Sequence, residues 1–289
     1  MKIIFFGTSE FAVPSLNALH KAGFDVTVVT MPDQPVGRKK IITPPPVKIT
    51  AEQLGLKVLQ PTTLKDLPAQ AGDSFFEEFK SLAPDLCVVV AYGNIIPERY
   101  LTVPKYFLNI HPSLLPKYRG STPIQTAILN GDTETGVTLM QVDKEVDHGA
   151  VISQITYHVE QNKAYQEIHD DLAEEGAKLL VEAIPKLING EIKPQEQDHT
   201  QATFTKIFER ADARINWSHS AEEIYNQIRA LNPEPGTWTT WNDKIINIKK
   251  AERIDGKLTL SIIQLEGKKE TSLSEFLHGH PDFDVSQLK

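Results

Sequence analysis

Residues 2–29, KIIFFGTSEFAVPSLNALHKAGFDVTVV, hold two apolar runs separated by one segment of helical length. Residues 2–6 predict a buried strand, and Gly7-Thr8-Ser9 a turn. Thr8 or Ser9 is the expected helix N-cap, with Pro14 early in the helix and Leu16 and Leu19 on its apolar face. Gly23 ends that helix, and residues 24–29 form a second strand. Two strands joined by a helical crossover make a βαβ unit, which requires a parallel sheet. The predicted fold is therefore α/β with a Rossmann-like, mostly parallel sheet. The first turn has Gly7 but lacks the second and third glycines of G-x-G-x-x-G, so a dinucleotide site is disfavoured.

Further strands extend this sheet. Residues 86–93, LCVVVAYG, form a continuous apolar run that fits a strand buried on both faces. Its end, residues 91–97, is a loop of the kind that carries ligands at the carboxyl edge of open α/β sheets. Residues 106–111, YFLNIH, predict the next strand, stopped by Pro112. Side chains alternate faces along a strand, so Asn109 and His111 point the same way at its end. An amide donor beside an imidazole suits stabilisation of an oxyanion and management of a proton. The loop that follows, with Ser113, the Leu114-Leu115 pair, Lys117 and Arg119-Gly120, reads as a binding loop.

Residues 32–48, PDQPVGRKKIITPPPVK, have prolines that predict an irregular surface loop, and the adjacent Arg38, Lys39 and Lys40 suit contact with phosphates. This local charge matters because the whole 289-residue chain carries a net charge of −8, which argues against a broad basic nucleic-acid surface. The single cysteine, Cys87, lies in an apolar run and reads as a core residue, so no internal disulfide is possible. No apolar run reaches the roughly 18 residues of a membrane span. The opening MKIIFFGTSEF lacks a small-residue cleavage site and reads as a first strand. A cytoplasmic protein that does not engage membranes is expected.

Downstream, residues 124–129 predict a helix, and residues 137–142 and 150–159 strands joined by an acidic loop with Asp143, Glu145 and Asp147. A metal held by Asp147, His148 and His111 is conceivable, but no paired ligand spacing supports it, and no metal is expected. Residues 164–188 predict a long amphipathic helix ended by Gly190. The expected organisation is a catalytic domain over 1–190, a polar linker over 191–205 and a β-rich, barrel-like domain over 206–289. In the last, a helix at 221–231 precedes strands at 237–241, 244–249 and 257–263. That region carries 12 basic and 13 acidic residues, so it is no generic nucleic-acid clamp.

With these segments in place, the chain resembles the methionyl-tRNA formyltransferase family. The resemblance runs through FFGTSEFAVPSL, PDQPVGRKK, VVVAYGNIIP, NIHPSLLPKYRGSTPIQ, GDTETGVTLMQVD and VDHG, then INWSHSAEEIYNQIRALNPEPGTW and LEGKK. It implies a formyltransferase fold with a C-terminal tRNA-assisting domain. It also implies formyl transfer from the co-substrate 10-formyltetrahydrofolate to the α-amino group of methionyl initiator tRNA, by a monomer. Carried over by residue, Asn109, His111 and Asp147 are the catalytic set. Tyr92, Gly93, Ile95 and the run Ser113, Leu114, Leu115 and Pro116 face the folate, and Arg38, Lys39 and Lys40 face the tRNA.

Three departures from the family pattern stand out. His148 follows Asp147 where the family has Thr, the basic loop lacks its second glycine, and the C-terminal domain is shortened between NIKK and LEGKK. The residues leave other readings open: an N-formyltransferase acting on an amino-sugar nucleotide, a formyl-folate hydrolase, or a non-catalytic RNA-binding protein.

Overall fold

The computed structural model describes residues 1–37, 39–65, 74–285 and 288. Strands β1 (Lys2–Gly7) and β2 (Asp25–Val29) flank helix α1 (Val13–Lys21), as the opening segment predicts. The expected N-cap differs. Ser9 starts a short 3-10 turn, Glu10–Ala12, without a capping hydrogen bond from its side chain. Thr8 instead donates through Oγ1 to the Tyr92 carbonyl at 2.6 Å, tying the loop after β1 to the loop after residue 90. Cross-loop bonding has displaced the local cap.

Residues 32–48 are more regular than expected. β3 (Gln34–Val36) and β4 (Ile41–Thr43) pair as an antiparallel hairpin. Its turn holds Gly37 and Lys40, both at positive φ. Pro35 is tolerated because a two-stranded ribbon leaves outer edges that need no N–H. All six strand residues are exposed. The hairpin's base is anchored, since Lys48 and Gln60 both donate to the Asp33 carboxylate. These bonds, Gln60 first and then Lys48, hold the Asp33 carboxyl below its usual range.

The chain continues through α2 (Pro46–Gln53), β5 (Lys57–Leu59), α3 (Ser74–Ser81), β6 (Leu86–Val90), α4 (Glu98–Leu101) and β7 (Tyr106–His111). After α5 (Pro123–Leu129) come β8 (Glu134–Gln141), β9 (Val151–His158) and α6 (Tyr165–Ile188). Seven strands form one sheet in the order β5-β2-β1-β6-β7-β8-β9. The pairs from β5 to β7 are parallel, and β8 runs antiparallel to β7. The order reverses between β1 and β6, so the ligand crevice of such a sheet falls at the loops after these strands. Phe6, Phe79, Tyr92, Tyr100 and Phe107 form an aromatic core beneath it.

The chain divides into two compact units. The first is Met1–Arg119, Gly136–Tyr157 and Asp170–Thr203, and the second is Gly120–Thr135, His158–His169 and Phe204–Lys289. Most of the segment read as a linker thus belongs to the first unit. Gln195 pairs with Val151 in both directions at 2.8 Å, and Arg119 N–H donates to the Thr203 carbonyl at 2.8 Å. These are main-chain bonds, so the segment's backbone is tied to the first unit although most of its side chains are exposed.

The second unit contains α7 (Ala221–Leu231), β10 (Trp238–Trp241), β11 (Lys244–Ile254), β12 (Lys257–Leu265), β13 (Thr271–Ser272) and α8 (Leu273–Gly279). The β-rich domain is realised as a four-stranded antiparallel sheet in the order β10-β11-β12-β13. Ile224 and Ile228 of α7 and Phe276 of α8 pack with Trp241, Ile246, Ile248 and Ile263 of the sheet. A capping box starts α7, with Ser220 and Glu223 exchanging side-chain and backbone bonds.

Candidate active site

β7 is a central strand, with Asn109 in register with Val89 of β6 and Met140 of β8. The alternation read from its sequence holds. Ile110 faces α6, where a Cβ on Gly176 would come within 2.9 Å of it, while Asn109 and His111 both reach Asp147 on the other side. Asn109 Nδ2 lies 3.4 Å from Asp147 Oδ1, and His111 Nδ1 lies 3.5 Å from Asp147 Oδ2. Asp147 sits at φ +50°, a left-handed conformation that Asp tolerates better than most residues. The three groups converge from β7 and from the loop between β8 and β9. Both contacts are long for hydrogen bonds, an arrangement common in ligand-free sites that tighten on substrate.

His111 is buried, and its other ring nitrogen is already engaged. Nε2 lies 2.9 Å from the Tyr118 carbonyl oxygen. A carbonyl only accepts, so Nε2 carries the proton, and Nδ1 is the nitrogen open to proton exchange with Asp147. The sequence does not say which ring nitrogen of His111 acts, and the structure turns Nδ1 toward Asp147. Tyr118, at φ +63°, is itself fixed by its N–H bond to Thr203 Oγ1 at 2.8 Å.

The loop after β7 is pinned at each residue predicted to bind ligand. Ser113 is fully buried, and its hydroxyl donates to the Lys117 carbonyl at 2.6 Å. Thr138 Oγ1 donates to the Ser113 carbonyl and accepts from the Leu115 N–H, while Gln154 donates to the Leu115 carbonyl. Leu114 packs over Gly136 of β8, and the Pro116 carbonyl accepts from the Thr203 N–H. Ser113 therefore shapes the loop rather than offering a free hydroxyl.

On the neighbouring loop, the Tyr92 ring lies in the aromatic core against Phe6, and burial raises its phenol above the usual range. Tyr92 is buried as a whole, and its carbonyl already accepts from Thr8 Oγ1. Ile95 is 84% exposed and Gly93 sits at φ +93°, so this loop presents an apolar side chain beside accessible backbone. Such a surface suits one face of a flat heteroaromatic ring.

The other residues singled out from the sequence lie apart from one another. Lys39 and Lys40 occupy the exposed turn of the β3–β4 hairpin, and Arg38 lies outside the described residues. His148 does not join His111. Its Nδ1 lies 2.7 Å from Asp143 Oδ2, and its ring stacks on His199 with centroids 4.0 Å apart. Among the described residues, no group of three or more His, Cys, Asp or Glu is placed to hold a metal ion. No described helix is long and apolar enough to cross a membrane. Sequence reasoning missed the Tyr118 carbonyl, Gln197 and His199. Arg119 was read only as part of a binding loop.

A strand-end amide, an imidazole and a carboxylate thus converge at the carboxyl edge of a Rossmann-like sheet. The formyl transferase family pattern matches residues 1–184, and the formyl transferase C-terminal domain pattern matches residues 208–257. A methionyl-tRNA formyltransferase of Bacillus velezensis is 44% identical over 258 residues, covering 89% of this chain and 80% of its own. One from Caldanaerobacter subterraneus subsp. tengcongensis is 41% identical over 305 residues, covering 97% of each chain. Among solved structures, HypX from Aquifex aeolicus in complex with tetrahydrofolic acid superposes with a TM-score of 0.67. At 17% identity it covers 96% of this chain and 47% of its own, and it shares the fold. The protein is a formyltransferase. More narrowly, it belongs to the methionyl-tRNA formyltransferase family.

Proposed function

We propose that the protein transfers the formyl group of 10-formyltetrahydrofolate to the α-amino group of methionyl initiator tRNA. The observation that carries this reading is the convergence of Asn109, His111 and Asp147 in a chain of this family. The folate is a substrate consumed in each turnover. Residues 91–97 and 113–116, at the carboxyl edge of β6 and β7, are the backbone that would receive it.

The chemistry follows from what these groups can do. The amine nitrogen attacks the formyl carbon, the carbonyl electrons move to oxygen, and a tetrahedral oxyanion forms. Asn109 supplies an N–H to that oxygen, a donor typically worth about 10²–10³ in rate. The attacking nitrogen must lose a proton, and the departing folate nitrogen must gain one. Asp147, shared with His111 Nδ1, stands where it can accept the first proton, and the carboxylate–imidazole pair can return it to the leaving nitrogen. His111 Nε2–H stays on the Tyr118 carbonyl throughout, fixing the ring.

Lys39 and Lys40 supply phosphate contacts from the hairpin turn, which extends cations from an otherwise acidic chain. Incubation with 10-formyltetrahydrofolate and charged initiator tRNA, beside an amino-sugar nucleotide and a sample without acceptor, tests the reading. Formyl-methionyl-tRNA is expected. Formylation of the sugar alone, or formate release without acceptor, overturns it.

A further inference from the structure

Gln197 lies in the polar segment between α6 and α7, yet it is only 7% exposed and its amide is bonded on both sides. Its Nε2 donates to the Asp147 carbonyl at 2.9 Å and to the Gly149 carbonyl at 2.8 Å. Its Oε1 accepts from Arg119 Nε at 3.2 Å and Nη2 at 2.7 Å. Arg119 is buried as well, and its Nη2 also lies 2.8 Å from His199 Nδ1. A guanidinium can only donate, so the carboxamide oxygen must face Arg119 and the NH₂ must face the two carbonyls. The amide cannot flip without setting donor against donor.

The backbone held in this way is a constrained one. Asp147 is at positive φ, and a Cβ on Gly149 would lie 1.9 Å from the Gln141 carbonyl oxygen. A left-handed non-glycine residue is disfavoured and persists only where its surroundings hold it. Two bonds from one buried amide bracket that residue.

We propose that Gln197 is a positioning residue for Asp147, oriented for that task by Arg119. The inference rests on the reading of Asp147 as the group that accepts the proton. Gln197 touches no reacting atom and acts by fixing where the Asp147 carboxylate stands relative to Asn109 and His111.

Gln197→Glu is nearly isosteric and keeps a partner for Arg119, but it sets a carboxylate oxygen against two carbonyl oxygens. A displacement of about 1 Å in a reacting group costs about 10² in rate. The variant is therefore expected to lose kcat on that scale, with KM for both substrates near wild type. In an Asp147→Asn background the same substitution should cost nothing further, because its effect runs through that carboxylate. Full multiplicative losses in the double variant overturn the proposal.

Gln197→Met, which cannot repel the carbonyls, supplies the same readout should the charged variant fail to fold. Hydrogen exchange of the backbone amides at 147–149 reads the bracket without reference to catalysis. Faster exchange in Gln197→Met is expected, and unchanged exchange overturns the proposal. Wild-type turnover by Asp147→Asn alone would instead refute the catalytic reading of Asp147, and the exchange measurement would still decide whether Gln197 holds the loop.

Discussion

His111 Nδ1 and Asp147 Oδ2 stand 3.5 Å apart while the other nitrogen of the same ring is held by the Tyr118 carbonyl at 2.9 Å. One edge of the imidazole is held by the backbone, and the other is the one to which the proposed mechanism gives the chemistry. The ring cannot rotate to offer Nε2 without breaking a buried bond, which costs about 1–3 kcal/mol. Proton exchange at this site is thereby confined to the short space shared by Nδ1, the carboxylate and Asn109.

In the proposed mechanism the carboxylate is the acceptor in that exchange. Asp147→Asn should lower turnover by about 10²–10⁴, the usual worth of a positioned general base, while donor binding stays near wild type. Stopped-flow turnover beside equilibrium binding of the folate checks this. A loss confined to binding would contradict the assignment.

The hairpin turn should act on tRNA alone. With Lys39 and Lys40 both changed to Ala, kcat at saturating tRNA should hold, and KM for tRNA should rise. The salt dependence of tRNA binding should become shallower by about 1 in log–log slope for each lysine lost. An unchanged slope would remove these lysines from the interface.

Gly136 leaves no room for a side chain. A Cβ there would lie 2.1 Å from the Ile155 carbonyl oxygen and 2.5 Å from Leu114 Cδ2. Gly136→Ala should destabilise the protein by about 1–3 kcal/mol, the usual cost of overpacking. Thermal unfolding should shift down by about 2–4 °C per kcal/mol for a chain of this class. Because Leu114 belongs to the loop after β7, turnover should fall as well. A Tm matching wild type would mean that β8 and β9 can part without cost.

Cys87 should be inert in the folded protein. It is fully buried in β6, and burial pushes its thiol well above the usual range, so the reactive thiolate is suppressed. A chromogenic disulfide reagent should find no thiol in native protein and one per chain after denaturation. Rapid native labelling would show β6 to be open to solvent.

How much of this was legible beforehand depends on the range of each interaction. Phe107, Asn109 and His111 lie on one face of β7 because strands alternate with period two, a rule that needs no tertiary information. The βαβ opening was equally local. The Thr8 cap failed because Tyr92, 84 residues away, offered a carbonyl that local reasoning could not foresee. The β3–β4 hairpin was hidden by prolines, since a proline at a ribbon edge and one in an irregular loop look alike in sequence.

Gln197 left no signal at all. Its partners are 48, 50 and 78 residues away, and its neighbours are as polar as those of a solvated linker. The catalytic role of Asp147 came only through the family resemblance, because the acidic loop around it also offers Asp143 and Glu145.

The single-turnover rate of formyl transfer by Asn109→Ala, with methionyl initiator tRNA and 10-formyltetrahydrofolate both saturating, tests the central claim most directly. Loss of the only N–H assigned to the oxyanion should slow the chemical step by about 10²–10³, with circular dichroism and tRNA binding like wild type. A transfer rate equal to that of wild type would contradict the account.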